Sequence, residues 1–272
     1  MNEVNKSVKK YLILFKTYLQ KYIYYRASAF VWMLSDIIPF IVLIILWQAV
    51  YQNRSSIAGV SFNQMVVYYL SISFLRELIY TGGGRNTISE EIYTGQLSSL
   101  LLKPFNYLKR VFVEEISWRF IQFGLFLIPY VLLFICFKNV VKGVYNFKLW
   151  PVFILALILS FLISAFLDYL CGIGAFWLTQ TSTLFHLKDI FYWLLGGLTF
   201  PQKLLPCLLQ KINITLPFYY VFGFPTELII SNLSYGQIII RFLVQLIWVI
   251  FLYLIYKLLW QKGLRKYDAW GN

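Results

Sequence analysis

The sequence predicts an all-α integral membrane protein, and two observations carry that prediction: an apolar composition and six long apolar segments. Hydrophobic residues make up 60% of the 272 residues, charged residues make up 13%, and the mean hydropathy is +0.69. A soluble domain of this length is normally less apolar and more strongly charged. We therefore expect residues 1–272 to form a single transmembrane domain.

Six segments approach the length needed to cross a bilayer. A hydrocarbon core of about 30 Å takes roughly 20 helical residues at about 1.5 Å each. A fourth segment is long and a fifth is short, so the division between them is the least certain boundary. The predicted transmembrane helices cover residues 29–51, 64–80, 117–137, 150–180, 184–200 and 238–260.

Residues 1–27 are predicted to form an amphipathic interfacial helix on the cytoplasmic side. From Val8 to Ile23 the apolar residues recur at helical spacing, while four lysines and Gln20 fall on the other side. This pattern is typical of a helix that lies on anionic lipids. Because the apolar residues are not continuous, the segment does not resemble a cleavable signal peptide. The alternative is a solvated cytoplasmic tail, which lies on the same side.

The distribution of Lys and Arg predicts the orientation. The net charge of +13 arises from residues clustered at the ends of apolar segments, which indicates topology and not nucleic-acid binding. With the N-terminus inside, fifteen basic residues lie in cytoplasmic segments and six lie in the opposite loops. Both termini, including a tail at 261–272, are therefore expected in the cytoplasm. The localisation that we expect for the protein as a whole is the plasma or inner membrane of a prokaryotic cell.

A polar stretch interrupts the apolar pattern within the predicted cytoplasmic loop 85–110. It reads TISEEIYTGQLSSLLLKP, from Thr87 to Pro104, and is called the elbow below. Thr87 and Glu90 have the spacing of a capping box, so a short helix should begin there. Gly95 should end that helix, and Pro104 should end a second apolar turn. The sequence thus predicts a bent pair of short helices with one apolar side.

The segment 201–235 is rich in proline yet strongly apolar. It cannot form one continuous helix, and it is too apolar for a free external loop. Short broken helices that enter the outer half of the membrane satisfy both facts if protein surrounds their backbone. The alternative is an external loop held at the interface by its aromatic residues. The candidate residues of this outer re-entrant gate are Pro201, Pro206, Pro217, Pro225 and Glu227.

No catalytic or cofactor-binding pattern is found in the sequence. Gly82, Gly83 and Gly84 lack the spacing of a phosphate-binding loop, so the chain is not expected to hydrolyse ATP or to bind a cofactor itself. The single histidine, His186, has no Cys or second His at ligand spacing, and no metal site is expected. No nucleophile and base are arranged for catalysis. The chain is therefore predicted not to be an enzyme.

Ionisable residues inside the predicted spans are candidates for a polar path, because a charge in lipid is costly. Asp36, Arg119 and Asp168 are such residues. The aspartates are expected either to line a substrate route or carry protons, or to form structural ion pairs, for example with Arg119. The first case leaves an alternative function open, that of an ion-coupled secondary transporter using Asp36 and Asp168.

Several motifs together resemble the type-2 export permease family of ATP-binding-cassette transporters. They are the basic N-terminal helix, EEIYTGQLSSLLLKP after the second span, LTFPQKLLP and LPFYYVFGFPTELI before the sixth, and the C-terminal KGLRKYDAWGN. The resemblance covers essentially the whole chain. It implies a six-helix permease subunit of an exporter that works by alternating access.

The resemblance also implies partners and a coupling helix. Two ATPase subunits would bind ATP and Mg, a second permease chain would complete a homodimer or heterodimer, and no nucleic acid would be involved. The elbow would be the coupling helix that sits in a cleft of the ATPase. On this sequence that role falls to Glu90, Glu91, Ile92, Tyr93, Gly95, Gln96, Leu97, Leu100, Leu101 and Leu102.

Overall fold

Helices form most of the protein in a computed structural model, which describes residues 2–24, 26–80, 87–141, 149–230 and 233–267. A short antiparallel hairpin, β1 (Ser56–Ile57) and β2 (Val60–Ser61), joins the second and third helices. The helices are α1 (Asn2–Tyr24), α2 (Arg26–Val50), α3 (Phe62–Ile79), α4 (Thr87–Tyr93), α5 (Gln96–Leu101), α6 (Tyr107–Cys136), α7 (Lys138–Val141), α8 (Trp150–Ile173), α9 (Ser182–Leu194), α10 (Cys207–Asn213), α11 (Gly223–Ile230) and α12 (Tyr235–Lys266).

Three stretches within the described residues are long and apolar enough to cross a membrane. They are Tyr107–Cys136, Trp150–Phe176 and Tyr235–Lys266, and Ile37–Val50 within α2 is a shorter apolar helix. This composition supports the predicted all-α membrane protein. Six crossings, the cytoplasmic position of the termini and the division into 1–27, 85–110, 201–235 and 261–272 stay predictions.

Local sequence signals define where the long helices begin. At the start of α3 the Ser61 hydroxyl accepts from the amide of Gln64, and the Gln64 side chain accepts from the amide of Ser61. Ser234 and Gln237 form the same capping box at the start of α12. These reciprocal bonds satisfy amides that have no partner within the helix. Both helices therefore start at a position set by four consecutive residues.

Two predicted spans are wrong in extent. The fifth, predicted over 184–200, is a helix of only 13 residues that ends at Leu194. At about 1.5 Å per residue it covers roughly 20 Å, too little for the bilayer core. Gly197 follows with a φ of 90°, a left-handed conformation that a helix cannot continue through. The fourth, predicted over 150–180, ends as an α-helix at Ile173.

Helix α3 is the most deeply buried long helix among the described residues and packs against α2, α6, α8 and α11. Its two adjacent tyrosines attach it to the turn after α9. The Tyr68 hydroxyl donates to the carbonyl of Gly197 at 2.7 Å, and the Tyr69 hydroxyl donates to the carbonyl of Thr199 at 2.6 Å. The Trp47 indole N–H of α2 donates in turn to the Tyr69 hydroxyl at 2.7 Å.

Helix α1 packs along α6 through its aromatic side. The rings of Phe15 and Phe120 lie 6.1 Å apart, and those of Tyr22 and Trp118 lie 4.9 Å apart, both edge to face. Such pairs add roughly 0.5–1.5 kcal/mol each to the area they bury. The apolar side predicted for this helix is therefore divided: its aromatic part contacts α6, and the exposed part includes Val8. Contact of α1 with lipid stays a prediction.

The outer segment contains two short helices, α10 and α11, separated by a turn. Helix α11 is buried almost throughout, whereas α10 exposes Leu208 and Ile212. Pro206 caps α10 and is exposed, while the other three candidate prolines are buried. Broken helices are thus present where the proline pattern predicts them, and their depth in a membrane stays a prediction.

Candidate functional site

The elbow consists of α4 and α5, which meet at Gly95. Gly95 has a φ of 73°, a left-handed conformation that glycine adopts without steric cost, and it is the N-cap of α5. Helix α4 begins at Thr87, where the residue before it lies outside the described part of the chain. The capping box of Thr87 and Glu90 therefore stays a prediction.

A buried ion pair attaches the elbow to the start of α6. Nη2 of Arg110 lies 2.6 Å from Oε1 and 2.7 Å from Oε2 of Glu91, and the Tyr107 hydroxyl donates to Oε2 at 2.5 Å. All three side chains are buried. Burial raises the pKa of the Glu91 carboxyl, and the Arg110 guanidinium opposes that rise. The site thus holds a carboxylate away from water only while the guanidinium is present.

The same guanidinium extends the attachment to α1. Nη1 of Arg110 donates to the Tyr18 hydroxyl at 3.1 Å and to the Glu114 carboxylate at 3.4 Å. Lys21 and Tyr22 both donate to the other oxygen of Glu114, each at 3.3 Å. Burial and the Glu114 carboxylate raise the pKa of the Tyr18 hydroxyl, so Tyr18 stays neutral. Elbow, α6 and α1 are therefore joined by one hydrogen-bonded network.

Two further contacts support the elbow from the end of the chain and from the turn after α8. The Tyr93 hydroxyl donates to the carbonyl of Leu178 at 2.9 Å, and the Ser98 hydroxyl donates to the Tyr267 hydroxyl at 3.3 Å. Tyr267 follows α12, so the last helix reaches the elbow. The elbow is consequently held on several sides by distant parts of the sequence.

Burial divides the ten predicted coupling residues into three groups. Glu91, Ile92 and Leu97 are buried inside the chain, so they position the elbow and present no surface to a partner. Gly95 and Leu100 are half-buried. The exposed members are Glu90, Tyr93, Gln96, Leu101 and Leu102, and Thr94 is exposed beside them.

The predicted pairing of Asp168 with Arg119 is wrong. Asp168 of α8 forms its ion pair with Lys188 of α9, and both side chains are buried. Lys188 lies 3.4 Å from Asp189 as well, and the hydroxyl of Tyr80, the C-cap of α3, donates to Asp189 at 2.9 Å. The arrangement neutralises Asp168 and ties three helices together.

Arg119 is bound elsewhere, on the α3 side of α6. Its Nη1 donates to the carbonyl of Glu77 at 3.0 Å and to the Gln122 amide oxygen at 2.9 Å, and its Nη2 lies 4.0 Å from Glu115. The Asp36 side chain lies outside the described part of the structure. The nearest hydrogen-bond partners of Arg119 are thus Glu77 and Gln122, whereas Asp168 is paired with Lys188.

Two of the fifteen basic residues assigned to cytoplasmic segments, Arg110 and Lys188, are buried. Arg110 is 5% exposed and Lys188 is 4% exposed, and each pairs with a carboxylate of another helix. A sequence window does not distinguish such a residue from a lysine at the membrane surface. The sequence offers one signal that such a basic residue is buried, namely an acidic residue that would need a cation as its partner. That residue is Glu91 for Arg110 and Asp168 for Lys188.

The predicted gate residue Glu227 links α11 to α12. Its carboxylate lies 2.6 Å from Nη1 of Arg241 and accepts from the Tyr219 hydroxyl at 2.8 Å. Deeper in α12, Gln245 is fully buried and its amide nitrogen donates to the Ser160 hydroxyl at 2.9 Å. The same nitrogen donates to the carbonyls of residues 156 and 220 at 2.9 and 3.1 Å. The outer turn is thus bound to α8 and α12.

His186 is exposed on α9. Among the described residues, no group of three or more His, Cys, Asp or Glu side chains is placed to hold a metal ion. Cys136, Cys171 and Cys207 are free thiols. The charged clusters above are therefore best understood as ion pairs between helices.

A family profile for the ABC-2 family transporter protein matches residues 37–271, which includes the elbow and every helix from most of α2 to α12. The chain belongs to the ABC-2 transporter family. This confirms the resemblance to type-2 export permeases found in the motifs. ABC-2 proteins are multi-pass membrane subunits of transporters and are not themselves the catalytic subunits. Among the curated proteins compared with the chain, none matches it.

Proposed function

We propose that the chain is the membrane-spanning permease subunit of an ATP-driven exporter and that the elbow receives the motion of a separate ATPase. The observation that carries this proposal is the division of the elbow into a buried anchor and an exposed tip. Glu91 fixes the anchor to α6 through Arg110. Glu90, Tyr93 and Gln96 are exposed at the tip.

The anchor suits transmission of force. A displaced elbow carries the Glu91 carboxylate with it, and separation from Arg110 would leave a buried charge unpaired, which is costly. The helices α6 and α1 are therefore expected to follow the elbow. Two ATPase subunits that bind ATP and Mg would undergo ATP-driven closure and thereby move two permease chains, in a homodimer or heterodimer, between inward and outward access.

The substrate path is proposed to suit an apolar or amphipathic molecule. A cavity of about 390 Å³ lies between α2, α3 and α6. Its lining is apolar apart from Gln48, Ser73 and the Tyr69 hydroxyl. The ion-coupled alternative is not favoured by any observation in the described residues, because Asp168 is neutralised by Lys188.

The exposed tip provides the test. In the double variant Glu90→Arg and Gln96→Arg, we expect a co-expressed ATP-binding-cassette ATPase that co-purifies with the parent chain to be lost from the complex, because two long cations replace the native contact surface. The control Lys211→Glu changes the charge by two units in the direction opposite to Glu90→Arg, at an exposed position of α10, and should retain the ATPase.

Two results would contradict the proposal. One is ATP hydrolysis by the purified chain alone. The other is normal retention of the ATPase when residues 87–104 are replaced by a flexible Gly/Ser linker of equal length.

A further inference from the structure

The start of α1 lies against the end of the elbow. The Lys10 ammonium donates to the carbonyl of Pro104, and the Tyr11 hydroxyl accepts from the amide of Asn106 at 3.2 Å. These residues are more than ninety positions apart in the sequence. The contact therefore places the basic start of α1 next to the basic end of the elbow, so that the two segments share one surface.

That surface is basic and partly apolar. Lys9 and Lys103 are the sequence neighbours of Lys10 and Pro104, and Lys109 lies one helical turn after Asn106. All three are exposed, and together with Lys10 they form what we call the lysine patch. In the described part of the chain, Lys9, Lys103 and Lys109 have no ion-pair partner. Leu102, beside Lys103, has a side chain that is 88% exposed.

We infer that the lysine patch binds the headgroups of anionic lipids, so that the second half of the elbow faces the membrane surface and only its tip faces the ATPase. The surface of an anionic leaflet has negative headgroups over an apolar interior. Lysines without an ion-pair partner beside exposed leucines are complementary to both layers. On α1, Val8 and Leu12 are close to Lys9 in the sequence, and their side chains are 51% and 53% exposed. A purely polar protein partner would leave these apolar side chains uncovered.

The inference changes the role of two residues and adds a form of regulation. Leu101 and Leu102 become membrane contacts and not contacts with the ATPase. A headgroup that bridges Lys9 and Lys103 draws α1 toward the elbow, which strengthens the attachment made by Lys10 and Pro104. The fraction of anionic lipid in the leaflet then determines how strongly α1 and the elbow are held together. This inference uses only the orientation from the proposed function, with the elbow on the cytoplasmic side.

The test uses the whole chain in nanodiscs that contain phosphatidylcholine and a rising fraction of phosphatidylglycerol. Hydrogen exchange is followed in residues 8–24 and 96–104. We expect protection to rise with phosphatidylglycerol and to fall with salt. In the variant Lys9→Gln, Lys103→Gln and Lys109→Gln, the fraction needed for half-maximal protection should rise at least about threefold. Lys10 is kept because it bonds to Pro104.

A matched triple variant controls for the loss of charge. Lys138, Lys203 and Lys211 are exposed on other parts of the chain, and their change to Gln should leave the lipid response unchanged. An equal loss of response in this control would overturn the inference. So would protection in pure phosphatidylcholine discs on addition of inorganic phosphate, since the patch would then be a site for a soluble anion.

Co-purification of the ATPase separates this inference from the proposed function. If the patch variant loses the ATPase and keeps the lipid response, the patch is an ATPase surface and the inference is wrong. If the unmodified chain retains no ATPase yet responds to phosphatidylglycerol, the proposed function fails and the inference stands.

Discussion

Nη2 of Arg110 bonds both carboxylate oxygens of Glu91, at 2.6 and 2.7 Å, and thereby joins the elbow to α6. Glu91 has the sequence position of a contact residue for a partner, but its carboxylate is fully used inside the chain. The elbow therefore contains two sets of residues with different roles. One set fixes the elbow to the rest of the chain, and the other set is exposed.

Arg110→Met should destabilise the protein by about 3–5 kcal/mol, because it leaves the buried Glu91 carboxylate without its cation. The double variant Glu91→Met and Arg110→Met should recover part of that loss, since it removes the unpaired Glu91 carboxylate while the buried Glu114 keeps Lys21 as its cation. Thermal unfolding in detergent measures both. Lys109→Met, at the exposed neighbouring position, is the control and should differ little from the parent. Equal destabilisation by the single and double variants would show that the pair does not act as a pair.

Gly263→Ala should destabilise the end of α12 by about 1–3 kcal/mol through overpacking. A Cβ at this position would lie 2.1 Å from Cδ2 of Phe176, in a ring that cannot move aside easily. Gly236→Ala is the matched control in the same helix, because its Cβ would meet nothing within 4 Å. Hydrogen exchange at residues 260–267 should increase for Gly263→Ala alone. Similar exchange in both variants would contradict the close contact.

Lys188→Met should destabilise the protein by about 3–5 kcal/mol because it removes the cation paired with the buried Asp168 carboxylate, and Asp168→Asn in the same chain should restore much of the stability. The measurement is again thermal unfolding. This pair also bears on the ion-coupled alternative: a proton gradient should drive no transport by the chain alone, with or without Asp168→Asn. Proton-driven transport that requires Asp168 would favour the carrier.

Gln245→Leu should destabilise the protein by about 1–2 kcal/mol, since it removes a donor to the Ser160 hydroxyl and to two carbonyls in the helix core. Gln48→Leu is the control, because Gln48 is exposed on α2. Denaturation in mild detergent compares the two. A larger effect at Gln48 would mean that the buried amide contributes little.

Some of the fold follows from short-range signals in the sequence. The bend of the elbow at Gly95 follows from glycine's tolerance of a left-handed backbone, and the start of α12 follows from the Ser234 and Gln237 box. The apolar composition is enough to predict a membrane protein. These features depend on a few neighbouring residues or on an average over many, which is why they can be predicted.

The partners of buried charges cannot be predicted in the same way. Asp168 and Lys188 are twenty positions apart, and their pairing depends on how α8 and α9 pack. Arg119 was an equally reasonable partner by charge alone. The end of α9 at Leu194 is hidden for a related reason: the apolar residues continue to Phe200, although the helix has ended and Gly197 adopts a left-handed backbone. Tertiary contacts decide between choices that composition leaves equal.

The bonds from Tyr68 and Tyr69 to the turn after α9 have an evolutionary consequence. Both acceptors are main-chain carbonyls, those of Gly197 and Thr199, so the attachment does not depend on the side chain at either position. The amino-acid type at position 199 can therefore change without loss of this bond. Residue 197 is restricted to glycine, because its φ is 90° and a Cβ there would lie 2.7 Å from the Tyr68 oxygen. Related proteins can therefore differ in the other side chains of the turn after α9 while the bonds from the two tyrosines are retained.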